Sequence, residues 1–324
     1  MRYKPLISGI AAIVALAVAP AALGQGYPNK PVKLIVPFAP GGTTDIITRV
    51  VAGNITPHFG GQTMVVENKG GGGGMIGAAE TARAVPDGYS LGVATVSTIA
   101  TAPAIQKTPY NPLTDFTPII NMAATPNVIS VHPSFPAKDF QGFLAEIKAN
   151  PGKYSFASPG PGSITHLMME LFMSLTGTKM THIGYKGSGP ALNDVVGGQV
   201  AIMFDNLPSS LPFIKSGRLV PIVVAAAERV KGLPEVPTFK EVGLEPMNRV
   251  AFYGICGPKG LPKDVVAKVH GAVKKTLEDP AVQARIEETG SVIVGNSPEE
   301  YGQQIKAEYD VYRRVVEERQ IKSD

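Results

Sequence analysis

Short apolar runs alternate with helix-spaced patterns along almost the whole chain. The segments VKLIVPF (32–38), TMVVEN (63–68) and YSLGVATV (89–96) are β-branched and bounded by Gly or Pro, which predicts strands. Between them, TTDIITRVVAGNITPHF and MIGAAETARA carry apolar residues at helical spacing. Repetition of strand, helix and strand predicts parallel sheets with helices on both faces. Most of these strands lack polar alternation, as expected when both faces are covered.

The same grammar restarts after TPNVISVHPSFP. KYSFAS leads through PGPGS into the helix ITHLMMELFMSL; VAIMF leads through DNLPSS into LPFIKSG; LVPIVVAA closes the run. VPTFKEVGLEP then breaks the pattern before another strand, VAFYGICGP, and the tail is helical in PKDVVAKVHGAVKKTLED and PEEYGQQIKAEYDVYRRVVEERQ. The expected fold is α/β, with two doubly wound domains. Crossovers near 124–128 and 246–250 divide the chain into a discontinuous first domain, 25–126 with 248–324, and a second, 127–247, inserted into it. No internal repeat of solenoid length is evident.

The first 24 residues stand apart. Arg2 and Lys4 precede an apolar stretch, 6–19, then Pro20 and the small-residue sequence AALG. That order predicts a secretory signal cut near Gly24 and a periplasmic location; the competing reading is an uncleaved anchor approaching the ~20 residues that span a bilayer. No later stretch reaches that length unbroken, so the mature chain is read as soluble. The whole chain has 30 basic and 26 acidic residues; without Arg2 and Lys4 the balance is 28 to 26, which attracts neither nucleic acid nor a membrane surface. Cys256 is the only cysteine, which excludes an internal disulfide and a lipidated start.

Four loops share one design, a strand end, then Gly or Pro, then a helix: PFAPGGTTD (37–45), NKGGGGGMIG (68–77), ASPGPGSITH (157–166) and GYKGSGPALND (184–194). Glycine lets backbone N–H groups turn toward a ligand, and the following helix adds unpaired donors at the positive end of its dipole. Each loop is a candidate anion seat, although strand-to-helix turns call for such residues anyway. Gly72, Gly74 and Gly77 satisfy G-x-G-x-x-G. A dinucleotide site, however, needs an acidic residue ending the next strand, and that strand ends Thr95-Val96-Ser97-Thr98. No phosphate-binding G-x-x-x-x-G-K-[ST] occurs either, so no nucleotide cofactor is expected. His58, His132, His182 and His270 lack metal-ligand spacing, which argues against zinc.

These loops also carry a resemblance. YPNKPVKLIVPFAPGGTTDIITRV, YKGSGPALNDVVGGQVAIMFDNLPSSLPFIKSGRLVPI and LPEVPTFKEVGL closely resemble the Bug-type receptors, the extracytoplasmic solute-binding proteins of tripartite tricarboxylate transporters, from about Tyr27 to Ile321. The resemblance implies a type II periplasmic-binding-protein fold, with a ligand cleft between the two domains, closing as a monomer on a small organic acid: a dicarboxylate, tricarboxylate, acidic amino acid or aromatic carboxylate. The ligand would then pass to membrane components of a carrier. It implies carboxylate contacts from Ala39, Gly41, Gly42, Thr43 and Thr44, with hydroxyls of Thr95, Ser97 and Thr98 assisting. From the second domain it implies Ser158, Gly162, Ser163 and His166, the turn Tyr185, Lys186 and Gly187, and Asp205 beside the far end of the ligand. The chain departs from the family where Met75 replaces a polar residue and where Phe252 stands for a tryptophan; both changes favour a less polar far end.

Taken singly, several of these residues have two readings. His166 could donate to a carboxylate or stack on the preceding loop. Asp45 and Asp194 lie at helix starts, where the dipole favours a carboxylate structurally. Asp205 could cap a helix or hold a water or a ligand ammonium. Ser163 and His166 raise the alternative of an exported hydrolase, but no G-x-S-x-G elbow surrounds either and no activated nucleophile is legible, so no enzyme activity is expected. A further alternative is a sensing module that presents the bound acid to a membrane signalling partner.

Overall fold

The computed structural model describes residues 26–321; the expected export signal lies outside them. Two sheets form the framework. The first contains β1 (Val32–Val36), β2 (Met64–Asn68), β3 (Ser90–Thr95), β4 (Phe116–Thr125), β10 (Ala251–Pro258) and β11 (Val292–Ile293), in the order β11-β4-β10-β3-β1-β2. The second contains β5 (Asn127–Val131), β6 (Ser155–Ser158), β7 (Thr181–Gly184), β8 (Ile202–Asn206) and β9 (Val220–Ala225), in the order β7-β6-β8-β5-β9.

Neither sheet is purely parallel. β1 pairs in parallel with β2 and β3, and β6 with β7 and β8, but β10 runs antiparallel to β3 and β4, and β5 antiparallel to β8 and β9. The reason is the route of the chain. It passes from β4 to β5 through Pro126 alone, and returns from β9 into β10. β5 and β10 therefore enter their sheets at the edge where the strand–helix units end, as the pairings Asn127 with Asn206 and Tyr253 with Thr95 show. A strand that starts at that edge must run against its neighbours.

The helices are α1 (Thr43–Asn54), α2 (Met75–Ala82), α3 (Ala102–Ile105), α4 (Phe140–Ala149), α5 (Ile164–Thr176), α6 (Ser188–Val196), α7 (Leu207–Lys215), α8 (Lys263–Leu277), α9 (Pro280–Glu287) and α10 (Pro298–Arg319). They cover the sheets with buried Ile47, Val51, Leu167, Phe172, Val269 and Val273. Fully burying a side chain of this kind contributes about 1.5–3 kcal/mol, so these faces hold the layers together. Among the described residues no helix is long and apolar enough to cross a membrane.

Candidate functional site

The strand–helix turns of both sheets converge on one cleft. In the first sheet β1 runs through Phe38 and Ala39 to Gly41, whose φ of 84° makes the turn, and on to Gly42, the N-cap of α1. Gly42 has no side chain and no other side chain caps α1. The loop is braced from behind by Asp45, which accepts from the Gly41 amide at 3.1 Å, Arg49 Nε at 2.9 Å and Asn68 Nδ2 at 2.9 Å. Burial pushes the Asp45 carboxyl up, but these donors and the Arg49 charge outweigh it and hold the group below the usual carboxylate range. Beside this loop β3 ends in Thr95, and a π-helical turn, Ser97–Thr101, continues into α3. Thr95 N donates to Thr98 Oγ1 at 3.0 Å and Thr98 N to Thr95 Oγ1 at 3.3 Å, so Thr98 holds the shape of the turn.

From the second sheet come three turns. Ser163 caps α5, its Oγ accepting from His166 N at 3.3 Å. Gly187 precedes α6, which has no side-chain cap. Asp205 and Asn206 end β8 ahead of α7. Asp205 is wholly buried and accepts from Ser188 Oγ (2.5 Å), Ser209 Oγ (2.6 Å) and Ser210 Oγ (2.9 Å). Burial pushes its carboxyl above the ordinary range, and the three hydroxyls only partly oppose that.

Between these turns lies a narrow cavity of about 20 Å³, room for about one water molecule, so a ligand enters only when the two sides separate. Its walls are Phe38, Gly42, Thr43 and Thr44; Thr95, Val96 and Ser97; Pro159, Ile164, Ser188 and Asn206; and Ala251 and Tyr253 of β10. None of them is Lys, Arg or His. The groups suited to an anion are backbone ones: α1 and α6 both bring uncapped N-termini to the same space, and such ends hold anions by N–H donors and dipole together.

The two sides also bond each other directly. Ala39 N donates to Lys186 O at 2.9 Å, Ser209 N to Thr43 Oγ1 at 3.1 Å, Ile164 N to Ser97 Oγ at 3.0 Å and Thr101 Oγ1 to Gly162 O at 2.6 Å. Thr43 and Ser97 thus face the cavity and also serve as acceptors for the first turn of a helix in the opposite sheet.

The residues expected from sequence fall into three places. Gly42, Thr43, Thr44, Thr95 and Ser97 line the cavity, and Asp205 lies directly behind Ser188. Ala39, Lys186, Gly187 and Gly162 form the seam where the sides touch: the Lys186 side chain is exposed, and Gly187 packs on Ala39. Gly41, Thr98, Ser158, Ser163, Tyr185 and His166 shape the turns. Ser158 Oγ meets His182 Nε2 at 2.7 Å, Tyr185 OH donates to Asp194 Oδ2 at 2.7 Å, and Gly162 N donates to His166 Nδ1 at 3.2 Å. His166 is buried and stacks on His182 with ring centres 3.8 Å apart.

The 68–77 loop, read from sequence as a further anion seat, contributes nothing to the walls. Gly71, Gly72, Gly73 and Gly74 all have positive φ, and a Cβ on Gly73 would strike Pro161 O at 2.1 Å. The run is a contact surface against the second sheet, which needs backbone without side chains. Sequence reasoning missed Tyr253, buried in the floor with its OH accepting from Thr125 Oγ1 at 3.4 Å, because an aromatic inside an apolar strand reads as core. It also missed Ser188 and the pair Ser209 and Ser210; the run NLPSS ahead of a helix was the only signal.

A model of the tripartite tricarboxylate transporter family receptor matches residues 47–321. The chain belongs to this receptor family. Its relatives include the protein BugT of Bordetella pertussis, 32% identical over 98% of both chains. A solved structure described as a periplasmic transporter is 51% identical, with TM-score 0.90, and covers 92% of this chain and 100% of its own. Two Rhodopseudomonas palustris proteins carry ligands. MatC, with bound malate, is 32% identical with TM-score 0.86 over 90% of this chain and 100% of its own. The other, with adipate, is 32% identical with TM-score 0.87 over 91% of this chain and 99% of its own. Receptors of this family are periplasmic solute-binding proteins and not enzymes. The two-sheet α/β architecture is that of the family's periplasmic binding proteins.

Proposed function

We propose that this receptor captures one small organic carboxylate between its two lobes and delivers it to the membrane components of a tripartite tricarboxylate-type carrier. The lobes are taken as 25–126 with 248–324, and 127–247, and the chain as a monomer exported to the periplasm after cleavage near Gly24. The observation that carries the reading is the convergence of two uncapped helix N-termini, α1 and α6, on one cavity without a cationic side chain. Gly42, Thr43, Thr44, Thr95 and Ser97 line the first lobe's share of that space. Three charge-assisted hydrogen bonds contribute roughly 5–9 kcal/mol, against about 8 for micromolar affinity and the further cost of association, so backbone donors supply a large share and burial of the ligand's apolar part the rest. An arginine fork would grip more tightly; its absence from the walls suits a protein that must let its cargo go.

Malate and adipate in the two relatives make short dicarboxylates the first compounds to try. Isothermal calorimetry against malate, adipate, citrate, glutamate and benzoate is expected to give one saturating response at one ligand per chain. Silence across the whole panel, in protein freed of co-purified ligand, would remove the carboxylate reading.

A further inference from the structure

Two of the glycine-bearing loops meet outside the cavity, and one glycine there is spared by no local need. Gly189 is the second residue of α6, its φ lies outside the left-handed region, and it is not part of the cavity wall. Helix geometry at this position accepts alanine, which has the higher helix propensity. Yet a Cβ on Gly189 would lie 2.2 Å from the carbonyl oxygen of Pro40, 3.3 Å from the Pro40 carbonyl carbon and 3.6 Å from the Gly41 Cα. These three nearest atoms all belong to the loop of the opposite lobe. The constraint on residue 189 therefore comes from the seam between the lobes.

We propose that Gly189 sets ligand affinity from outside the cavity, as the position whose missing side chain lets the α6 start and the Pro40–Gly41 turn come into contact. The proposal rests on the two-lobe receptor reading above. A methyl group here forces the two loops apart by ~1 Å to reach ordinary van der Waals distance. The same seam holds the Ala39 N to Lys186 O bond at 2.9 Å and the Ser209 N to Thr43 Oγ1 bond at 3.1 Å, and a displacement of that size takes both beyond hydrogen-bonding range. Each lobe remains intact by itself, while the closed arrangement becomes less populated. Apparent affinity falls in proportion to the population of that arrangement.

Thr101 acts at the other end of the seam in the same way. It is fully buried, absent from the cavity wall, and donates to the carbonyl of Gly162 across the lobes at 2.6 Å. Thr101→Val keeps the shape and leaves that carbonyl without its cross-lobe donor only when the lobes touch.

The test compares wild type, Gly189→Ala and Thr101→Val by calorimetry with malate and adipate, by ligand-free thermal melting, and by electron–electron distance measurement. Spin labels go on Lys107→Cys and Lys215→Cys, one exposed site in each lobe, with Cys256 buried and unlabelled. Expected for Gly189→Ala are a melting temperature equal to or above wild type, an affinity weaker by at least about tenfold, and loss of the short interlobe distance. Thr101→Val is expected to move affinity and distance the same way by less. Unchanged affinity in Gly189→Ala, with wild type binding normally, overturns the proposal and leaves the receptor reading intact. If wild type binds neither probe, the distance distributions decide: a short component lost in Gly189→Ala supports the seam, and identical distributions overturn it. A fall in melting temperature for Gly189→Ala with no change in distance assigns Gly189 a role within its own lobe and also overturns it.

Discussion

The helices α1 and α5 begin on opposite sides of the cleft from loops of similar composition, PGGTT and PGPGS, and end up with opposite electrostatic roles. α5 is closed off. Ser163 Oγ accepts from His166 N, Ser97 Oγ of the other lobe accepts from Ile164 N, and the turn before it is pinned by Gly162 N donating to His166 Nδ1. α1 starts at Gly42 with no cap; the one backbone amide that the Asp45 carboxylate takes is that of Gly41, outside the helix. One serine in place of a glycine at the cap consumes the donors that an anion would need. The α5 start is architecture, and the α1 start keeps its donors uncapped, as the proposed carboxylate seat requires.

That comparison breaks most completely if α1 is given its own cap. Gly42 has φ −85° and ψ 167°, the backbone of an N-cap, so Gly42→Asp is expected to fold with an unchanged or higher melting temperature. Its carboxylate would occupy the helix end and crowd Ser188, whose Cβ lies 3.3 Å from the new Cβ. Loss of two charge-assisted bonds to ligand predicts a fall in affinity of roughly 100-fold or more, read by calorimetry with whichever acid binds wild type. Affinity held within about tenfold would move the anion seat away from α1.

Removing the brace is expected to cost less. Asp45→Ala releases the Gly41 amide, Arg49 and Asn68 together, with an expected loss of about 2 kcal/mol in urea unfolding. The folded pKa of Asp45 is lowered, so its contribution is present above the ordinary carboxyl pKa of about 4 and disappears as pH falls through the lower folded value. Wild type should lose part of its stability in that acid window, and Asp45→Ala should lose less. Equal acid slopes would remove the assignment.

Uncapping α5 sharpens the contrast from the other side. Ser163→Ala should destabilise by about 1 kcal/mol and change affinity by less than about threefold, since its oxygen faces the His166 amide. A larger loss of affinity than of stability would make Ser163 a ligand contact. The smallest effect is expected at Asp205. Its folded pKa is raised, so the stability tied to its protonated form is present below about 4 and is lost as pH rises through the folded value. Asp205→Asn should match wild type in acid and become equal or slightly more stable toward neutral pH. If the hydroxyls of Ser188, Ser209 and Ser210 instead keep Asp205 ionised, melting curves between pH 4 and 8, on the order of the range where carboxyls and imidazoles titrate, would show Asp205→Asn falling below wild type as pH rises.

Much of the framework was legible because it is local. β1, β2 and β3 are β-branched runs closed by Gly or Pro, and α5 carries its own Ser cap and apolar spacing. β4 was not legible: FTPIINMAAT contains Pro118 and alanines, and it is a strand because β10 and β11 pair with its two edges. The antiparallel direction of β5 and β10 was equally hidden, since it follows from where the chain enters each sheet. In the site, Gly42, Thr43 and Thr44 lie in a loop that its turn chemistry marked, and Thr95 and Ser97 were expected from the family resemblance, whereas Tyr253 reaches the cleft only through the packing of β10, and Ser209 meets Thr43 only through that of α7. The glycine run 70–74 marked an unusual backbone correctly, but a positive φ is required alike for a ligand and for a facing protein loop.

The sequence by itself determined the locally encoded elements, β1 to β3 and α5 among them, which turns lack side chains, and that no carboxylate follows the glycine run to hold a ribose. Those properties depend on neighbours along the chain. Only the tertiary structure decided which uncapped helix ends share a cavity, which are stopped by a hydroxyl from the other lobe, and which glycines face protein and not ligand. Those outcomes depend on distances of a few ångströms between residues far apart in sequence, such as Gly189 and Pro40, and no local pattern encodes them.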